Sequence, residues 1–84
     1  GACGADRQAG ITAFHAEDAA FKRMIAEASA ITIAPVTTEK IMTAAPFRVM
    51  DLAECTAVLV EADAPQVAVE AFREAGADVR RCAQ

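Results

Sequence analysis

Thr37, Thr38 and Lys40 place two hydroxyl donors and one ammonium within four residues, a set suited to an anionic oxygen. They follow a β-branched run, and in open parallel sheets ligands bind beyond the carboxyl ends of the strands. The same spacing also describes an ordinary solvated loop, and spacing alone favours that reading. Lys22 is the only other lysine, on a predicted helix. Nucleophilic catalysis needs a nucleophile, a base and a group that orients it. His15 is the only histidine and Ser29 the only serine. His15 stands just ahead of a predicted helix, which suits a residue leading into it better than a catalyst. Gly1, Gly4 and Gly10 lack the spacing of a phosphate-cradling loop.

The cysteines add little chemistry. Cys3, Cys55 and Cys82 are odd in number, far apart and without CxxC spacing, which argues against a disulfide framework and a zinc site. Cys55 and Cys82 lie on apolar segments and read as small buried hydrophobes. Cys3 lies in a predicted loop with only Arg7 nearby to activate it. No metal, cofactor or enzymatic activity is expected from these residues.

These side chains must be positioned by short elements. Residues 1–13, rich in Gly and Ala, read as loop. Over residues 16–28, Ala20, Phe21, Met24, Ile25 and Ala28 form one apolar stripe at helical spacing. Glu17 and Asp18 in the first turn suit the helix dipole. Residues 31–36 (ITIAPV) read as a buried strand. Residues 37–45 are ambiguous and fit one irregular helical turn, and 47–50 fit a short strand. Residues 57–61 (AVLVE) form a continuous apolar run, as a central parallel strand does. Asp63-Ala64-Pro65 starts a helix whose face is Val67, Ala68, Ala71, Phe72 and Ala75, and Gly76 stops it. Residues 78–82 close a strand-helix-strand unit, which predicts a parallel crossover. The chain therefore reads as α/β, a partial three-layer parallel sheet.

Composition narrows the function classes. The 84 residues carry eight basic and twelve acidic side chains, a net charge of −4. A nucleic-acid surface shows a basic stripe, and Lys22-Arg23 and Arg80-Arg81 do not make one. No apolar run approaches the roughly 20 residues of a membrane span, and no signal-peptide pattern opens the chain. The cytoplasm is the expected compartment. The chain is 55% apolar, but much of that share is alanine, which fills little volume. A chain of this size buries only roughly 60% of its unfolded surface. A core this thin predicts a piece of a larger domain or a protomer that needs a partner.

The order of segments resembles the C-terminal part of the DeoR-type bacterial repressors of sugar catabolism. That family carries a Gly-Ala-x-Gly-x-Asp loop and a Gly-Leu-Thr-like turn, here Gly1-Ala2-Cys3-Gly4-Ala5-Asp6 and Gly10-Ile11-Thr12. Its helix with Glu-x-x-Val-Lys-Arg-x-Met-Ile appears as EDAAFKRMI over residues 17–25. Where that family's strand ends in Asp-Ser-Ser-Lys-Phe-Gly, this chain departs from it with Thr37-Thr38-Glu39-Lys40-Ile41-Met42, keeping only the lysine. Its Arg-Val-x-x-Leu-Ser-Glu segment is matched by Arg48 to Cys55, its Leu-Ile-Thr-Asp strand by Val58 to Ala62, and Pro65 opens the next helix. The likeness spans essentially all 84 residues.

The resemblance implies a fold similar to the sugar-phosphate isomerase and CoA-transferase group. It implies an effector domain that senses a phosphorylated sugar, of which residues 1–84 are the C-terminal part. Operator DNA would be bound by an N-terminal winged helix-turn-helix absent from this chain, and a homo-oligomer is expected. Asp6, Thr12, Lys22, Thr37, Thr38 and Lys40 are the implied effector contacts: the lysines offset phosphate charge and Asp6 accepts sugar hydroxyls. The chain departs from the pattern at Cys3, where the loop has its first aspartate, and at Glu39, a charge that repels phosphate. The alternatives are a fragment of an isomerase-like enzyme and an oligomerisation module without effector binding.

Overall fold

The computed structural model of the protein describes residues 3–83. Its Gly/Ala-rich start is a hairpin and not the expected loop: β1 (Gly4–Asp6) pairs antiparallel with β2 (Gly10–Ala13). Asp6 makes the turn. Its Oδ2 accepts the backbone N–H groups of Gln8 and Ala9, each at 2.9 Å, which is an Asx turn. Gly10 follows at φ 75°, and a Cβ there would overlap the Met50 carbonyl oxygen. Only glycine fits that crossing. Met50 ends β4 (Phe47–Met50), which pairs antiparallel with the other side of β2. The first sheet thus has the order β1-β2-β4.

Helix α1 (Ala16–Ala28) packs on β4 and β2. Its contact face is made of small residues: Ala19 is buried and Ala26 partly so. Arg23 ties the helix down by donating to the Val49 carbonyl and pairing with Glu54 at 3.9 Å. The stripe of Phe21, Met24 and Ile25, expected to face a core, lies about half exposed. Alanine lets the helix sit close to the sheet, and its wider apolar face turns outward. An apolar stripe locates the face that wants burial, not the element that supplies it.

The second sheet is parallel. It has β3 (Ile33–Val36), β5 (Ala57–Val60) and β6 (Val79–Arg81) in the order β3-β5-β6. β5 is central, as its continuous apolar run predicts. β3 is the outer strand and only half buried: Ala34 and Val36 point in, while Ile33 and Pro35 are exposed. An outer position is where a proline, lacking an N–H, is tolerated in a sheet. Helix α2 (Gln66–Glu74) crosses from β5 to β6. It begins after Pro65 as expected, although no side chain caps its first turn. Ala68, Val69, Ala71 and Phe72 are buried, whereas Val67 is exposed. The helix ends in a Schellman motif: Gly76, at φ 97°, donates to the Arg73 carbonyl at 3.0 Å, and Ala77 donates to that of Phe72 at 3.1 Å.

The chain is therefore a small mixed α/β domain with two three-stranded sheets, one of them parallel. The expectation of a single partial parallel sheet is corrected on this point. Strand 47–50 joins the N-terminal hairpin, because β2 offers it an antiparallel edge while β3 pairs directly with β5. The segment after β3 is joined to the first sheet where the Met42 N–H donates to the Ala5 carbonyl at 2.7 Å. Phe72, Val58, Val60, Val69 and Thr12 are the most completely buried large side chains. Among the described residues, nine of the 21 buried hydrophobic ones are alanine, so the core is as thin as the composition suggests.

Candidate functional site

β3 carries the chain to the carboxyl edge of the parallel sheet and releases it into Thr37. A short 3-10 turn follows over Thr38–Lys40, the irregular turn the sequence allows. It is closed by the Lys40 N–H donating to the Thr37 carbonyl at 2.9 Å. Register places Val36 beside Val60, so Thr37 and Glu61 leave the sheet side by side. The Thr38 N–H donates to Glu61 Oε1 at 2.6 Å. Thr38 Oγ1 is shielded from solvent and has no hydrogen-bond partner, the one such side-chain atom among the described residues. Thr37 is exposed and Lys40 half-buried.

Beside this turn, Glu61, Ala62, Asp63, Cys82 and Ala83 line an open crevice of about 260 Å³ beyond β5 and β6. Arg81 braces it. Its guanidinium donates to the carbonyls of Ala62 (3.0 Å) and Ala64 (2.7 Å) and to Gln66 Oε1 (2.9 Å). At this edge the Thr38 hydroxyl has no partner, and the Thr38 backbone N–H donates to an anionic oxygen, that of Glu61. In the sequence Glu61 is visible only as the end of the apolar run 57–61. The available signal is the alignment of two parallel strands that both stop at residues 36 and 60.

The six residues expected at the site fall in three places. Thr37, Thr38 and Lys40 are together at the strand end. Asp6 and Thr12 serve the hairpin. The backbone N–H groups of Ala9 and then Gln8 hold the Asp6 carboxyl below its ordinary value. Thr12 is buried, and its Oγ1 accepts the Ala45 N–H at 2.8 Å, which pins the stretch after the 3-10 turn onto the first sheet. Lys22 lies on α1, 3.0 Å from Asp18, at a cleft of about 320 Å³ between α1 and β3. Apart from Ser29 and Thr32, the rest of that cleft is walled by apolar groups such as Ile25, Ile31, Ile33 and Met50.

His15 is exposed, and Ser29 Oγ donates to the Ile25 carbonyl at 2.7 Å as a helix-end residue. Cys55 is buried as expected, and burial together with the nearby Glu54 charge pushes its thiol up. Cys82, expected to be buried, is exposed because β6 ends one residue before it. Among the described residues, no three of His, Cys, Asp and Glu gather as a metal site requires. No helix among them is long and apolar enough to cross a membrane. Gly1 and Ala2, the start of the family-like loop, lie outside the described residues. Compared with known proteins, the chain matches no family model, no curated protein and no solved structure.

Proposed function

We propose that the chain is the effector-sensing part of a DeoR-type transcriptional regulator. Its effector is a phosphorylated sugar held at the carboxyl edge of the parallel sheet, and it has no catalytic role. Thr37, Thr38 and Lys40 take the phosphate, with the two threonine hydroxyls as donors and Lys40 as the counter-charge. The observation that carries this reading is the turn over residues 37–42. It leaves a parallel strand where ligands of such sheets bind, and Met42 sits there at φ 62°. That left-handed conformation suits glycine, and the family-like motif has its glycine at this position. Thr38 Oγ1, desolvated without a partner, costs about 1–3 kcal/mol that a ligand oxygen would offset.

Asp6 and Thr12 belong to this reading in a supporting role, as the hairpin pair that shapes the far side of the loop, while Lys22, paired with Asp18, lies at the separate α1–β3 cleft. The domain would be a variant of the sugar-phosphate isomerase and CoA-transferase type of fold. Regulation of a carbohydrate operon in the bacterial cytoplasm follows, with operator DNA bound through a winged helix-turn-helix domain outside these 84 residues.

The test is a thermal-shift and calorimetric titration of the chain with hexose and pentose phosphates, the free sugars and inorganic phosphate. A phosphosugar is expected to raise Tm where the free sugar does not. Thr38→Val is expected to abolish that shift while leaving the unliganded protein as stable or more so. No shift with any phosphosugar at millimolar concentration overturns the reading, and so does a shift that Thr38→Val leaves unchanged.

A further inference from the structure

Glu61 belongs both to the strand-end turn and to the crevice beside it. The parallel register sets Val36 next to Val60, so the chain leaves β5 at Glu61 where it leaves β3 at Thr37. Glu61 Oε1 accepts the Thr38 N–H at 2.6 Å, and the residue also lines the crevice of about 260 Å³ with Asp63. One exposed carboxylate therefore borders the group read as the phosphate site and the space next to it.

We propose that Glu61 is the specificity-determining residue of this edge. It turns away anions that can only accept hydrogen bonds and admits those that also carry hydroxyls, as a phosphosugar does. This rests on the reading of the turn as a phosphosugar site and deepens it. An ionised carboxylate accepts hydrogen bonds and donates none. A bare anion such as sulfate is in the same position, so the two share no bond. To reach the turn it must take the Thr38 N–H from Glu61 and then sit beside a like charge. A phosphosugar meets that charge too, but its hydroxyls donate to the carboxylates of Glu61 and Asp63.

Two further observations support a filter over a simple tie between loops. Glu61 takes the Thr38 N–H and leaves the hydroxyl of the same residue, shielded from solvent, without a partner. A ligand oxygen thus finds a donor that Glu61 has not used. Charge is the second observation. The turn and crevice carry the acids Glu39, Glu61 and Asp63 against the cations Lys40 and Arg81. Arg81 is already engaged by the Ala62 and Ala64 carbonyls and by Gln66. A site balanced in this way holds an anion poorly unless hydroxyls accompany it.

Calorimetric titration with sulfate, and with the hexose and pentose phosphates, tests this on the native chain and on Glu61→Ala, Glu61→Gln and Glu39→Ala. Sulfate is expected to bind Glu61→Ala about tenfold more tightly than the native chain, the step between a charge-assisted and an ordinary hydrogen bond. The phosphosugar is expected to move the other way and bind Glu61→Ala more weakly. Glu61→Gln keeps an acceptor for the Thr38 N–H, so the turn stays tied, and it gains sulfate affinity by a smaller factor. Glu39→Ala removes the same charge from the turn without freeing that N–H, and is expected to change sulfate binding little. Sulfate held no more tightly by either Glu61 variant overturns the proposal, as does a gain that Glu39→Ala matches. A phosphosugar bound more tightly by Glu61→Ala overturns it as well, and so does a loss of both ligands together, which marks a structural tie. The two readings fail separately. Phosphosugar binding to the native chain with sulfate unchanged in the variants removes only the role of Glu61. The sulfate gain without any phosphosugar binding supports the exclusion by Glu61 and overturns the phosphosugar reading.

Discussion

The Asp6 carboxylate and the Thr12 hydroxyl each satisfy backbone N–H groups that the first sheet would otherwise leave bare. The resemblance to the DeoR-type repressors picked out both residues, and not any local chemical pattern. It gave them to a ligand, and the structure shows them in use by the chain itself. The difference arises because an Asx turn and a cross-loop hydrogen bond depend on strands of three and four residues, too short to show a period. The Asp6 role has a pH signature. Its folded pKa lies below the unfolded value, which is about 3.9 for an aspartate. Its stabilisation is therefore complete above that value and is lost as pH falls through the folded pKa. Asp6→Asn keeps an acceptor for Gln8 and Ala9 without titrating. Urea unfolding at pH 7 and pH 3 is expected to show a smaller acid loss in the variant than in the native chain. An equal loss would mean that these bonds do not depend on the charge.

At the scale of elements, three left-handed positions among the described residues set the path of the chain: Gly10, Met42 and Gly76. Gly76 was legible in advance, because it follows an apolar helical face where a C′ glycine belongs. Gly10 was not, since nothing local shows that Met50 will approach its backbone from 40 residues away. Met42 shows the opposite case, a side chain in a conformation that glycine adopts freely. Gly10→Ala is expected to destabilise by about 2 kcal/mol or more, through strain at positive φ and the overlap with Met50. Met42→Gly is expected to stabilise by about 1 kcal/mol or to be neutral, as relief of strain offsets the entropy of glycine. Chemical denaturation of both variants measures the pair, and a destabilised Met42→Gly would show that the side chain's contacts outweigh its backbone strain. The βαβ unit, by contrast, was readable almost residue for residue. Its apolar run, Pro65 and Gly76 all act locally, and parallel strands joined by one helix leave little choice of topology. The grouping of strand 47–50 with the hairpin was not readable, because it depends on a pairing with β2 that no residue near 47–50 signals.

For the whole molecule, the shortage of large core side chains is the governing fact. A domain of this length is stable by roughly 4–13 kcal/mol at 0.05–0.15 kcal/mol per residue. Phe72, with no solvent exposure, is the largest fully buried side chain. Phe72→Ala is expected to cost about 3–5 kcal/mol, a large share of that total. Far-UV circular dichroism at 25 °C is expected to show a partly or wholly unfolded chain, while Phe72→Leu still melts cooperatively at a lower temperature. A fully folded Phe72→Ala would mean that the alanine-rich layers carry more of the stability than their volume suggests. The thin core was visible in composition alone; the location of the uncovered surface was not, since it depends on α1 choosing its alanine face for contact.

Pro35 decides how such a chain fails as well as how it folds. A parallel sheet with an open margin is a template on which further strands from other molecules can be laid, each offering the same margin to the next. At β3 the pyrrolidine ring stands on that margin in place of a donor, and at the other end of the sheet β6 presents the exposed cations Arg80 and Arg81. Growth is discouraged at both ends. When the chain is heated or concentrated, its loose apolar surface is therefore steered into clusters of limited size in preference to ordered fibres.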